Sequence, residues 1–104
     1  MSTYVFAVTR PELEPLAMSD RFRTDVAYFM TPPGEHGVPK LPEGEYWIRR
    51  SDAQTWYDDG VVEVVSPLDS EHHTEFEVSE EQEEFLKWLL ENQVEHVRVA
   101  RSRQ

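Results

Sequence analysis

The sequence predicts an α+β fold: a single mixed or mainly antiparallel sheet of five or six short strands, with one main helix, at about residues 79–92, packed on one face. Two observations lead to this prediction. Short apolar runs recur along the chain and end at proline, glycine or polar clusters, as strands do. One longer segment has the capping signal and the 3.6-residue periodicity of an amphipathic helix. At 104 residues the chain has the length of one domain, residues 1–104.

The N-terminal part predicts two strands and a long loop. Tyr4–Val8 is apolar at every position and short, which is typical of a strand covered on both faces. Pro15 interrupts the stretch Pro11–Asp20, so at most one turn of helix is expected there. Val26–Met30 repeats the all-apolar pattern and predicts a second inner strand. Four prolines and three glycines then fill residues 31–44, a composition that predicts a loop.

The middle of the chain predicts two strands around a segment that has two interpretations. Glu45–Arg50 alternates in the way a strand does. Residues 52–58 carry apolar side chains at helical spacing, and Gly60 suits the left-handed residue that ends a helix, so a short helix is favoured. The alternative is a hairpin whose turn is Asp59 and Gly60. Val61–Val65 has the β-branched density of a buried strand.

The C-terminal part contains the strongest local signal. Thr74–Val78 alternates between apolar and acidic residues, as a half-exposed strand does. The following segment, Ser79–Asn92, opens with the pattern of a capping box and predicts a helix. Alternation returns at His96–Val99, which predicts a last strand before a short polar tail. The helix can serve as a crossover that places these two strands parallel. The helical residues expected to face the core are Phe85, Leu86 and Leu89.

The net charge of −11 is concentrated beyond Leu41, where 16 acidic side chains face six basic ones. Nucleic acid and anionic lipid need cations on their partner, so neither is a predicted partner, whereas a basic protein is. The sequence contains no cysteine, which excludes disulfides, thiolate nucleophiles and cysteine-rich zinc sites. Neither a signal peptide nor a membrane span is recognisable, so a cytoplasmic location is expected.

Two places carry side chains suited to catalysis or metal binding. Glu63 lies among valines and has the character of a buried general acid or base, although a carboxylate paired with an arginine on a neighbouring strand is commoner. His72 or His73 could bind a metal together with Glu75, but adjacent residues of a strand point in opposite directions, which favours a solvated turn. We therefore predict no metal and no other cofactor, and no catalytic residue is indicated.

The remaining candidates favour binding to another protein. Residue types enriched at interfaces occur at four positions of the middle segment: Trp47, Arg49, Trp56 and Tyr57. We expect a partner surface between the 31–44 loop and the segment that contains the last two of them. Carboxylates expected to face water and to form a negative patch include Glu75, Glu77 and Glu84.

The predicted function is that of a small, acidic, non-catalytic protein-binding module. One alternative is an acidic decoy that imitates nucleic acid and occupies a basic protein. The other is a small enzyme or small-ligand binder that uses Glu63 or the region of His72 and His73. An enzyme needs a concave site with converging polar groups, whereas a decoy needs carboxylates spaced along a convex face.

Overall fold

The computed structural model describes residues 2–65 and 73–101, and within these ranges it has an α+β architecture with three α-helices and two antiparallel sheets. The strands are β1 (Thr3–Ala7), β2 (Leu16–Met18), β3 (Glu45–Trp47), β4 (Val61–Val65), β5 (His73–Glu77) and β6 (His96–Ala100). The helices are α1 (Phe22–Asp25), α2 (Arg50–Asp59) and α3 (Glu80–Asn92), with 3-10 turns at Val26–Tyr28 and Glu35–Gly37. No helix in the described ranges combines the length and the apolar character that crossing a membrane requires.

The first sheet brings together the two ends of the chain. Its order is β2-β1-β6-β3, so β1 and β6 are the central strands, with Val5 opposite Val99. The second sheet is the hairpin of β4 and β5, in which Val62 lies opposite Phe76. Just beyond the paired residues, the Val78 N–H donates a hydrogen bond to the Gly60 carbonyl. Four predicted strands are therefore confirmed, as β1, β4, β5 and β6.

Both sheets and the helices contribute to one core cluster. Valines enter it from the four-stranded sheet and from the hairpin, and α3 supplies the three residues predicted to face the core, all of them buried. Phe29 lies at the centre of this packing. Its ring centroid is 5.5 Å from that of Trp56, 6.3 Å from that of Phe76 and 6.0 Å from that of Phe85. The aromatic side chains thus join the hairpin to α2 and α3.

Helix α3 begins with the predicted capping box. The Gln82 N–H donates to Ser79 Oγ at 3.2 Å, and the Ser79 N–H donates to Gln82 Oε1 at 3.0 Å. These two bonds satisfy backbone donors that the helix itself leaves unpaired. The first turn also ties α3 to the four-stranded sheet, because the Glu81 carboxylate accepts hydrogen bonds from the N–H and the hydroxyl of Ser19, just after β2.

The short helix predicted over residues 52–58 is confirmed as α2, which is one to two residues longer at each end. Gly60 adopts the left-handed conformation, with φ of 72°, and its N–H donates to the Trp56 carbonyl. A glycine is favoured here because a Cβ atom in this conformation crowds the backbone. The alternative of a hairpin turn at Asp59 and Gly60 is therefore wrong.

The second inner strand predicted at Val26–Met30 is wrong. The chain there continues from α1 into a 3-10 turn, and the buried side chains are Phe22, Val26 and Phe29. Their spacing of four and three residues is that of a helical face. A short apolar run is equally compatible with a buried strand and with a buried helical segment, and the preceding phenylalanine decides between them.

The predicted single sheet is also wrong. After β3 the chain turns into α2 instead of continuing as a strand to Arg50, so β4 starts away from the first sheet and pairs with its hairpin partner β5. The possible parallel pairing of the strands before and after α3 is wrong as well. Strand β6 pairs antiparallel with β1 and β3, and it does not pair with β5. Leu16–Met18, expected to form at most a helical turn, is the edge strand β2.

Candidate functional site

Tyr28 is the most exposed large hydrophobic side chain of the described residues, with 48% of its surface accessible. It ends the 3-10 turn that follows α1, and its ring meets that of Phe76 edge-on, with centroids 5.2 Å apart. Because Val26 and Phe29 on either side of it are buried, the backbone holds Tyr28 outward from a fixed position. Two grooves of the surface border this ring.

The first groove, which we call the hairpin groove, lies between α1, strand β5 and the start of α3. Its volume is about 950 Å³, and Phe76 supplies an apolar wall beside Tyr28. The charged side chains that line it are Arg21, Asp25, Glu77, Glu80 and Glu81. The last of these is held by Ser19, whereas Glu77 and Glu80 are exposed. The groove therefore combines an aromatic surface with an excess of negative charge.

The second groove, which we call the loop groove, lies between the 31–44 loop and helix α2. It has a volume of about 450 Å³, and Trp56 forms its apolar wall on the helix side. The ionisable side chains that line it are Glu35, His36, Asp52 and Glu63. A partner surface was predicted from the sequence at this place, where the loop and α2 leave an accessible depression between them.

Arg49 connects the loop to the start of α2. Its Nη1 donates a hydrogen bond to His36 Nε2 at 3.1 Å and lies 3.7 Å from Asp52 Oδ2. Since a guanidinium can only donate, His36 Nε2 is the acceptor of this hydrogen bond. The backbone N–H of Arg49 also donates to the hydroxyl of the buried Thr31, at 3.3 Å. Arg49 thus positions one wall of the loop groove.

The four interface candidates of the middle segment do not form one surface. Trp56 lines the loop groove and Arg49 supports it, whereas Tyr57 packs against the core cluster. Trp47 does not line the loop groove. It lines a separate cavity of about 60 Å³, and its ring centroid is 5.6 Å from that of His96. His96 in turn is 2.7 Å from Glu45.

The acidic candidates occupy neighbouring elements. Glu75 and Glu77 are both exposed on β5, on the face opposite to Phe76, and Glu84 is exposed on α3. Glu63 is exposed as well and lies directly across the ladder from Glu75. The burial on which the general-acid interpretation of Glu63 depended is therefore absent.

The metal hypothesis falls largely on residues outside those described. His72 lies outside the described residues, and so does the side chain of His73. Among the side chains of residues 2–63 and 74–101, no group of three histidine, aspartate or glutamate side chains is arranged to hold a metal ion.

Tyr28 and Asp25 were not among the site residues predicted from the sequence. Tyr28 falls in Val26–Met30, the predicted buried strand, in which every side chain would be covered. The spacing of Phe22, Val26 and Phe29 is the signal that places Tyr28 on the outward side of a helical segment. Asp25 precedes the predicted strand, and no local pattern indicates its burial. No family model, no curated protein and no solved structure matches this chain, so its surface chemistry carries the functional argument.

Proposed function

We propose that this chain is a non-catalytic module that binds a basic segment of another protein in the two grooves that meet at Tyr28. One observation carries the proposal: the hairpin groove and the loop groove together are lined by seven acidic side chains and one arginine. A partner that supplies lysine or arginine side chains gains favourable electrostatic contacts there, whereas nucleic acid and anionic lipid are repelled.

The apolar surface in the grooves defines the partner further. Tyr28 separates the two grooves, with Phe76 on one side and Trp56 on the other. Exposed aromatic side chains on a rigid backbone are the residues that most often dominate a protein interface, because they bury a large area at a small cost in side-chain entropy. The segment that fits this surface therefore carries apolar side chains between its basic ones.

The exposed carboxylates of β5 and α3 lie next to the hairpin groove and extend its negative potential. In this proposal Glu75, Glu77 and Glu84 attract the partner before contact and raise the association rate. Such steering weakens with salt, since the Debye length falls to about 8 Å near physiological ionic strength. The nucleic-acid-mimicking decoy is a special form of this proposal, in which the basic partner is a nucleic-acid-binding protein and DNA competes with the chain for it.

The proposal is tested with labelled peptides in fluorescence anisotropy. The probe is a fluorescein-labelled peptide of lysine, leucine and serine, of about twelve residues, which spans roughly 40 Å when extended. The comparison peptide carries glutamate at every lysine position. We expect the basic peptide to bind with an affinity that falls as salt is added, and the acidic peptide not to bind.

Two sets of variants connect the binding to the proposed surface. Tyr28→Ala should weaken binding by more than about tenfold, as loss of an interface hot spot does. Val8→Ala is the matched control, because Val8 is the other exposed large hydrophobic residue among those that the structure describes and lies after β1. Joint replacement of Glu75, Glu77 and Glu84 by lysine should slow association without lowering the melting temperature. Equal losses in Tyr28→Ala and Val8→Ala, or tight binding of the acidic peptide, would contradict the proposal.

A further inference from the structure

The floor of the hairpin groove contains a carboxylate that is almost fully buried. Asp25 is 9% exposed, and its Oδ2 lies 3.4 Å from the Gln82 side-chain nitrogen and 3.5 Å from Arg21 Nε. N–H···O hydrogen bonds in proteins are about 2.7–3.2 Å long, and those between ionised partners are about 2.7–2.9 Å long. Both contacts of Asp25 are thus long, although a carboxylate removed from water needs close partners. A cation that approached closer than Arg21 would bind this carboxylate more strongly.

The Arg21 side chain is held loosely at this position. It is 84% exposed, lines the same groove and meets Asp25 four residues along the chain. Ion pairs of this kind on the surface contribute little, because water and salt screen them and both side chains lose freedom. The Arg21 guanidinium therefore shows that a cation fits beside Asp25, and a cation of another molecule can replace it there.

Tyr28 completes the arrangement around Asp25. The two residues are three positions apart on the continuous turn formed by α1 and the 3-10 segment, so their side chains share one side of it, and both line the hairpin groove. The Tyr28 ring is inclined by 61° to that of Phe76 and remains half exposed. A cation is attracted to the face of such a ring as well as to a carboxylate.

We propose that Asp25 and Tyr28 recognise one lysine or arginine side chain of the partner, whose cation displaces Arg21 from the Asp25 carboxylate. This inference rests on the proposed function and specifies the group that the hairpin groove selects. The remaining carboxylates of the surface attract basic segments in general, whereas the buried Asp25 binds the side chain at one position of the segment. It follows that Arg21 competes with the partner and that its removal strengthens binding.

The experiment uses the basic peptide with each lysine replaced in turn by norleucine, which keeps the aliphatic chain and removes the charge. One replacement should cost at least about tenfold in affinity for the unmodified protein, as loss of one member of a desolvated charge pair does. The same replacement should cost less than about threefold for the Asp25→Asn variant, because the two groups then no longer interact. Arg21→Gln should bind the original peptide several times more tightly.

Three controls separate this inference from its alternatives. Glu43→Gln removes one exposed carboxylate elsewhere on the surface and should leave the pattern of norleucine losses unchanged. Melting temperatures establish that the variants are folded, and if Asp25→Asn proves unstable, Tyr28→Leu tests the same coupling at an exposed position. Equal norleucine losses in the unmodified protein and in these variants, or weaker binding by Arg21→Gln, would overturn the inference while leaving the binding module intact. No binding of any basic peptide would overturn the proposed function and this inference together.

Discussion

Replacing Phe29 or its neighbour Tyr28 by alanine should have very different effects on stability. Phe29 is fully buried and touches three other rings, whereas Tyr28 is half exposed and meets one. Truncating a buried phenylalanine costs about 3–5 kcal/mol, and the loss of one aromatic pair costs about 0.5–1.5 kcal/mol. For a domain of this size, whose total stability is about 5–15 kcal/mol, the first change removes a large share of the stability and the second a small one.

The assay is equilibrium unfolding in urea followed by circular dichroism. With a slope of about 2 kcal/mol per molar urea, Phe29→Ala should lower the midpoint by roughly 2 M and Tyr28→Ala by less than about 0.7 M. The slope itself should stay unchanged if both variants unfold in one cooperative step. Similar midpoints for the two variants would refute the reasoning. They are the result expected for an inner strand over Val26–Met30, which would bury both side chains and make both truncations strongly destabilising.

Three further predictions concern α3, α2 and the turn after β1. Leu89→Ala should lower stability by about 2–5 kcal/mol in the same unfolding assay, since Leu89 is buried in the core, and an unchanged midpoint would contradict its placement. Gly60→Ala should cost about 1–2 kcal/mol through its left-handed backbone alone, because nothing lies within 4 Å of the added Cβ; a neutral effect would be inconsistent with φ of 72°. A hydrogen bond from Arg10 lowers the pKa of the Glu12 carboxyl below its ordinary value, so this interaction favours folding above the pKa of the unfolded chain and is lost as the pH falls through the folded one. An NMR titration should show Glu12 titrating at lower pH than in the Arg10→Gln variant, and identical curves would exclude the interaction.

Helix α3 was predicted correctly because several local signals agree there. In α3 the capping residues, the acidic first turn and the apolar periodicity all indicate one helix, and the structure has that helix with its stripe buried. Val26–Met30 carried one signal, an apolar run, which does not distinguish strand from helix. The division into two sheets depends on which strands meet across the whole chain, and no local pattern in β4 or β6 encodes that choice.

The candidate site was predictable only in part for the same reason. A partner surface was predicted beside the 31–44 loop, and the structure has a groove there that Trp56 lines. Tyr28 was hidden by the predicted strand, and no local pattern indicated the burial of Asp25 just before it. The exposure of an aromatic residue and the burial of a carboxylate within one short segment are results of tertiary packing. The contact of Tyr28 with Phe76 depends on the position of the hairpin, which local sequence does not determine.

The two-stranded sheet of β4 and β5 has a consequence for the behaviour of the protein in concentrated solution. Each strand has one strand neighbour in the described structure, so its other edge offers backbone groups that could template a further strand from another molecule. Glu63, Glu75 and Glu77 place three negative charges on one face of this ribbon, and two copies that stack there repel each other. Replacing these glutamates by glutamine removes the repulsion, and the hairpin is then where fibrillar self-assembly should begin.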